Sequence, residues 1–481
     1  MIQFEIKKRP GKPGEFSYDL KALALDFYPA KECQVLERED WSEEKGYPLS
    51  CTMDGEEILS VTLPEGYNKN TVKAAVYDVF KKKTGRGLVW GILTGIRPAK
   101  IPLRLIWKGY SREQIEAVLR DEYKLPENKI QLAVDVAQKE SLLTDSISHQ
   151  NGYNLYIGIP FCPSICQYCS FSSYPYEKYK KVAWNYLDAL EKEILYAAEQ
   201  FPDQELHTIY VGGGTPTSLD EEQLQRLMDM ITEHLPVQDA LEFTVEAGRP
   251  DSISRKKLEI MKAAGVTRIS INPQTMKQKT LDLLGRKHTV AQVKEAFAMA
   301  RAVGFDNINM DLIVGLEGED EVDFLNTMNQ VMDMDPDSVT VHTLVVKRAS
   351  RMRREQLEQG MDIRPEDSII PILQNNSREY LQEHGYFPYY MYRQKNKAGT
   401  SRNTNQENVA YAKPGKECLY NIFIMEELET IVALGSGGST KQVFPGEERM
   451  ERIENVKGVT EYIDRIDEMI QRKKDAFSTE K

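Results

Sequence analysis

The sequence predicts an α/β protein: a central partial (β/α)6 barrel with an α+β domain before it and an α+β extension after it. Two observations carry this. Between about residues 153 and 346, short apolar, β-branched runs alternate with longer stretches at helical spacing. That alternation gives parallel strands joined by right-handed crossovers. The runs number six, fewer than the eight of a closed barrel, so a lateral opening wide enough for a large substrate is expected. The domain boundaries follow as 1–150, 151–350 and 351–481.

In chain order, FEIKK (4–8), FSYDLKALALDFY (16–28) and ILSVTLP (58–64) read as strands of the first domain. Residues 68–83 and 112–123 read as helices, the second capped by Ser111 with Gln114 three positions on. GLVWGILTGIRPAK (87–100) is the most apolar part, and Trp90, Ile92 and Leu93 are expected to be buried packing. No chemical motif marks this domain. The barrel strands are Tyr153–Pro160, Leu206–Gly212, Leu241–Ala247, Arg268–Asn272, Ile308–Val314 and Ser338–Val346. Amphipathic helices fill 176–201 and 220–234, the latter opened by Asp220 with Gln223 three positions on. After residue 350 come a helical stretch, a Gly- and Asn-containing region (385–421) and ETIVALGSGGSTK (429–441).

Composition narrows the function. A chain of 481 residues with 41% hydrophobic and 28% charged residues is globular, and it needs more than one core. No apolar run reaches the length of a membrane span, and MIQFEIKKRPGK has no apolar leader, so a cytoplasmic protein is expected. A net charge of −12 argues against nucleic acid, which asks for a basic footprint. Six cysteines in so long a chain do not make a disulfide scaffold. Clustered thiols point to a metal or to catalysis instead.

Three of them crowd YIGIPFCPSICQYCSF (156–171), where Cys162, Cys166 and Cys169 form C-x3-C-x2-C directly after the first barrel strand. Active sites of α/β barrels assemble at that end of the strands. Three thiolates at this spacing suit an iron–sulfur cluster with one iron left open to a ligand. The rival is a zinc site completed by a distant histidine or by Cys418. Its weakness is the unequal spacing and the strand-end location. Later strand ends carry Gly212, Gly213, Gly214, Thr215 and Pro216 in YVGGGTPTSL, then Glu246, Gln274 and Asp311. Glycines admit close backbone approach, and polar groups in otherwise buried strands need partners. Arg286 follows in LLGRKHT.

The cysteine motif, with Tyr168 before its last cysteine, resembles the signature of the radical S-adenosylmethionine (SAM) enzymes. In that superfamily the open iron of a [4Fe–4S] cluster is chelated by SAM. The reduced cluster cleaves the sulfonium to methionine and a 5′-deoxyadenosyl radical. Residues 153–440 as a whole resemble the oxygen-independent coproporphyrinogen III oxidase (coproporphyrinogen dehydrogenase) family. The resemblance implies Cys162, Cys166 and Cys169 as cluster ligands. It implies Tyr156, Tyr168, Gly213, Gly214, Thr215, Glu246, Gln274, Arg286 and Asp311 as contacts of SAM. YAKPGKECLYN and ALGSGGSTK resemble the family's porphyrin-facing segments, and the first domain resembles an extension found in a Gram-positive branch.

Three positions depart from the pattern. Gly158 stands where the best-characterised oxidases have histidine, and Phe171 where they have a further cysteine. Tyr420-Asn421 stands where the haem-chaperone branch has histidine-asparagine. The resemblance implies a tetrapyrrole substrate, an electron donor for the cluster and oxidative decarboxylation of coproporphyrinogen III to protoporphyrinogen IX. The alternatives are a haem-binding chaperone and a radical reaction on another tetrapyrrole. In VVKRASRMRRE, Arg348 and Arg351 are the candidate partners of the substrate's propionates, with Lys347, Arg353 and Arg354 beside them.

Overall fold

The computed structural model describes residues 1–7, 14–39, 46–344, 369–393, 407–444, 447 and 449–478. They fall into two compact units, Met1–Leu142 with Met391–Asn408, and Leu143–Tyr390 with Val409–Lys481.

The first unit holds a four-stranded sheet of β1 (Ile2–Lys7), β2 (Cys33–Arg38), β3 (Tyr47–Met53) and β4 (Glu56–Leu63), in the order β2-β1-β3-β4. One expectation fails here. FSYDLKALALDFY is a helix, Ser17–Phe27, and not a strand. Its buried residues Leu20, Leu23, Ala24 and Phe27 recur at i, i+3, i+4 and i+7, which is the period of a helix face. That face packs against the helix Lys69–Thr84, with the Phe27 ring 5.5 Å from Phe80 and 5.6 Å from Tyr77. The two helices predicted here form as Lys69–Thr84 and Arg112–Asp121, capped by Asn68 and Ser111. Trp90 and Ile92 are buried as expected, whereas Leu93 is only half-buried. Trp90 also does more than pack, since its indole N–H donates to the buried Glu407 carboxylate at 2.8 Å. Lys129 pairs with the same carboxylate.

The second unit is built on the six predicted strands. They are β5 (Gly152–Ile159), β8 (Glu205–Gly213), β9 (Glu242–Gly248), β10 (Arg268–Ile271), β11 (Ile308–Val314) and β12 (Ser338–Thr343), all parallel and adjacent in chain order. Between the first two lie the two-residue strands β6 (Phe161–Cys162) and β7 (Tyr174–Pro175), which pair with each other. The C-terminal extension joins both edges. β13 (Phe387–Arg393) and β14 (Glu407–Ala412) lie beyond β12, and β14 runs antiparallel to it. On the other side β15 (Thr430–Leu434) adds a seventh parallel strand next to β5, followed by β16 (Ser439–Val443) and β17 (Met450–Glu454). The sheet stays open, with β13 and β17 as its edges. Among the described residues no helix is long and apolar enough to cross a membrane.

The two faces of these strands differ. Residues such as Leu155, Ile157, Val211, Phe243, Val245, Ile269 and Leu312 form one face and are buried. The opposite face, aligned by the strand register, carries Asn154, Tyr156, Thr208, Tyr210, Thr244, Glu246, Arg268, Ser270, Asn309 and Asp311. Parallel strands covered on both sides usually read as continuous apolar runs. The period-two pattern here marks an inner face lined with polar groups, and those groups form the candidate site.

Candidate functional site

The cysteine loop leaves β5 and is held by backbone bonds at several points. Gln167 N–H donates to Leu284 O at 3.1 Å, and Cys169 N–H to Cys166 O at 3.1 Å. The glycine turn that ends β8 docks against the same loop, with Gly214 N–H on Ile159 O (2.8 Å) and Thr215 N–H on Phe161 O (2.7 Å). A Cβ on Gly214 would stand 2.6 Å from Phe161 O, and one on Gly212 would stand 2.9 Å from the Glu246 carboxyl carbon. These two glycines therefore serve close packing of strand ends. Gly213, at φ +106, makes the turn itself.

The thiols sit among hydrogen-bond donors. Thr215 Oγ1 lies 3.7 Å from Cys162 Sγ. Arg249 Nη1 lies 3.6 Å and Arg286 Nη1 3.8 Å from Cys166 Sγ. Arg286 also donates to Tyr168 Oη at 3.1 Å and to Asn272 O at 2.5 Å. Burial pushes the Cys162 thiol up to about 11. A thiolate there calls for a cationic partner beyond the side chains present. Among the described residues no three His, Cys, Asp or Glu side chains gather tightly enough for one metal ion. A four-iron cluster asks for something else: three sulfurs, each on its own iron, with N–H groups facing them. The donor set fits that demand.

On the inner face next to the loop, Tyr210 donates to Glu246 Oε1 at 2.6 Å. Burial, aided by the nearby Asp311 charge, raises Glu246 to about 7 despite that bond. Asp311 moves the other way. Burial opposes its ionisation, but His342 at 3.6 Å and Asn309 at 2.7 Å hold its carboxyl below the usual range. Gln274 adopts φ +69, which costs a residue with a Cβ about 1 kcal/mol or more. It is fixed by Gln274 N–H to Asp311 O (2.9 Å) and Ile313 N–H to Gln274 O (3.0 Å). Three tyrosines stack alongside: Tyr210 on Tyr420 at 4.4 Å, and Tyr156 6.3 Å from each.

The structure thus places Cys162, Cys166, Cys169, Tyr168, Gly213, Gly214, Thr215, Glu246 and Gln274 at or just after the carboxyl ends of adjacent strands, Tyr156 and Asp311 within β5 and β11, and Arg286 in the loop after the helix Gln278–Leu283, from which it reaches Asn272 O and Cys166. Arg348 and Arg351, with Lys347, Arg353 and Arg354, lie outside the described residues. Cys418 is fully buried and hydrogen-bonds Glu242 at 3.2 Å, which removes it from the loop. Arg249, Tyr210 and His342 were not among the candidates. The alternation of β8 and β12 marks Tyr210 and His342 as inner-face residues, and Arg249 follows directly on the end of β9.

Residues 156–331 match the Radical SAM superfamily model. The chain is 37% identical over 409 residues to the oxygen-independent coproporphyrinogen-III oxidase-like protein HemZ of Bacillus subtilis, covering 84% of this chain and 80% of the relative. It is 42% identical over 193 residues to the heme chaperone HemW of the same organism, covering 40% of this chain and half of the chaperone. The oxygen-independent coproporphyrinogen III oxidase of Salmonella typhimurium is 32% identical over 188 residues, 39% of this chain and 41% of that one. Among solved structures, coproporphyrinogen III oxidase HemN from Escherichia coli superposes with a TM-score of 0.54 at 22% identity, covering 72% of this chain and 74% of that one. That likeness shows a shared fold.

Proposed function

This chain belongs to the oxygen-independent coproporphyrinogen III oxidase-like family of radical SAM proteins, whose cofactors are a [4Fe–4S] cluster and SAM, and from that premise we propose that it oxidatively decarboxylates coproporphyrinogen III to protoporphyrinogen IX. The observation that carries the proposal is the meeting of the cysteine loop with the ionisable inner face at one end of the strands. In this reading Cys162, Cys166 and Cys169 hold the cluster. Glu246, Gln274, Asp311 and Arg286 hold SAM, with Tyr156, Tyr168 and the Gly213–Thr215 turn. When bound, the cofactors supply a radical able to take a hydrogen atom from a propionate side chain. The chain's own residues shape the site: Glu246 is half-buried and accepts from Tyr210, and Tyr156, Tyr210 and Tyr420 stack into an aromatic wall that suits a flat macrocycle.

Glu246 gives the cofactor reading a pH signature. Its folded-state carboxyl is raised to about 7, so at lower pH it is a neutral acid before SAM binds. A cationic ligand favours the carboxylate. SAM affinity is therefore expected to rise about tenfold per pH unit up to about pH 7 and then level off. Glu246→Gln should flatten the profile. A wild-type affinity that does not change between pH 5.5 and 7.5 would remove Glu246 from the cation's partners.

The chaperone relatives favour a second reading, a haem carrier. A carrier needs an axial ligand such as histidine, tyrosine or cysteine. Tyr420 is 4% exposed and stacked on Tyr210, and Cys418 is fully buried on Glu242, so neither is presented to an iron. The deciding measurement is anoxic product analysis with reductant, SAM and coproporphyrinogen III. Decarboxylated product is expected. Stoichiometric haem binding abolished by Tyr420→Phe or Cys418→Ala, with no such product, would make the protein a carrier.

A further inference from the structure

Arg249 is not among the residues that the family resemblance assigns. It is 3% exposed, yet its guanidinium stays charged at any ordinary pH. A tight turn delivers it from the end of β9: Gly248 lies at φ +57, and Arg249 N–H bonds back to Ala247 O at 2.7 Å. One edge of the fork grips the cysteine loop. Nη1 donates to Cys166 Sγ at 3.6 Å and Ser164 O at 3.3 Å, and Nη2 donates to Ser164 Oγ at 3.1 Å. The other edge is held by Asp251, through Nε at 2.8 Å and Nη2 at 2.7 Å.

We propose that Arg249 is a positioning residue that raises the reduction potential of the cluster through its N–H···S bond to Cys166. The inference rests on the cluster assignment made above. A one-electron reduction adds a negative charge to the cluster and its thiolates. Donors and cations facing a ligating sulfur stabilise that added charge, which moves the potential upward. Among the described residues two guanidiniums face Cys166, those of Arg249 and Arg286. His288, fully buried nearby, adds no third cation, because burial and the two arginines push its imidazole down to about 3. Among the described residues only Arg249, of the two, carries a carboxylate that offsets its charge. Asp251 therefore acts as a brake on the same effect, and removing it should move the potential the opposite way.

The test uses full-length protein reconstituted anoxically, titrated with dithionite against redox dyes and followed by the paramagnetic signal of the reduced cluster. Arg249→Met is expected to keep about four irons per chain and to shift the midpoint to a more negative value. Asp251→Asn is expected to shift it to a more positive value. Wild-type midpoints in both fully loaded variants would overturn the proposal and leave Arg249 a brace for the loop. Should Arg249→Met fail to take up iron, Asp251→Asn decides alone: an upward shift supports the proposal, and an unchanged midpoint overturns it. A wild-type chain that takes up no cluster would fail the earlier site assignment and remove the basis of this one. The two failures can therefore be told apart.

Discussion

Cys166→Ala is expected to abolish SAM cleavage and to leave the chain far short of the about four irons a complete cluster needs. Of the three thiols, Cys166 is the one faced by two guanidiniums, at 3.6 and 3.8 Å. Arg286 Nε already has no partner among the described residues, and Arg249 depends on Asp251 and Ser164 for its other bonds. Removing the sulfur would take one of the three proposed anchors from the cluster and leave two buried cations facing a gap. Cys418→Ala is the control. Its thiol bonds Glu242, and that variant should keep its iron and its activity. The measurements are iron and sulfide content after anoxic reconstitution and 5′-deoxyadenosine released under dithionite. A Cys166→Ala chain with full iron and normal cleavage would sink the assignment of this loop as the cluster site.

How legible this site was in the sequence depended on the kind of signal. The strands β5 and β8 to β12 were readable because each is a short run rich in β-branched and aromatic residues set between longer stretches at helical spacing. The cysteine spacing is local, so it needs no fold to be seen. Arg249 was not readable. Its meaning comes from a left-handed glycine and from a loop 83 residues earlier in the chain, and neither is a pattern in the residues around it. Tyr210 and His342 lay within reach, because the alternation in ELHTIYVGG and SVTVHT points both toward the polar face. The misassigned helix Ser17–Phe27 shows the opposite failure. The aromatic ends of FSYDLKALALDFY suggest a strand, while the spacing of Leu20, Leu23, Ala24 and Phe27 carries the correct period. The seventh parallel strand, β15, was hidden for another reason. Its partner β5 lies nearly three hundred residues before it, and parallel pairing at that distance leaves no local trace.

The C-terminal helix Ile466–Ser478 offers the largest expected effect on stability, through a single side chain. Lys473 is fully buried and pairs with the equally buried Glu193 at 2.6 Å. The rest of Glu193 is engaged too, by Asn455 Nδ2 (2.8 Å), Tyr462 Oη (2.6 Å) and Gly435 N–H (2.7 Å). Gly435 sits at φ +92, and a Cβ there would meet Gly158 O at 2.5 Å. Tyr186 ties the same turn to β5, donating to Gly158 O at 2.6 Å and accepting from Ser436 N–H at 3.0 Å. The network therefore fixes the turn after β15 against the end of the strand that leads into Cys162. Lys473→Met is expected to cost about 3–5 kcal/mol, because it strands a buried carboxylate. The diagnostic result is the double variant. Adding Glu193→Gln removes the stranded charge but keeps an acceptor for Gly435 and Tyr462, so the double variant should be more stable than Lys473→Met alone. Urea unfolding of the wild type, both single variants and the double variant closes the cycle. A Lys473→Met loss below about 1 kcal/mol, or a double variant no better than the single, would show that the buried charge is not what holds this corner together.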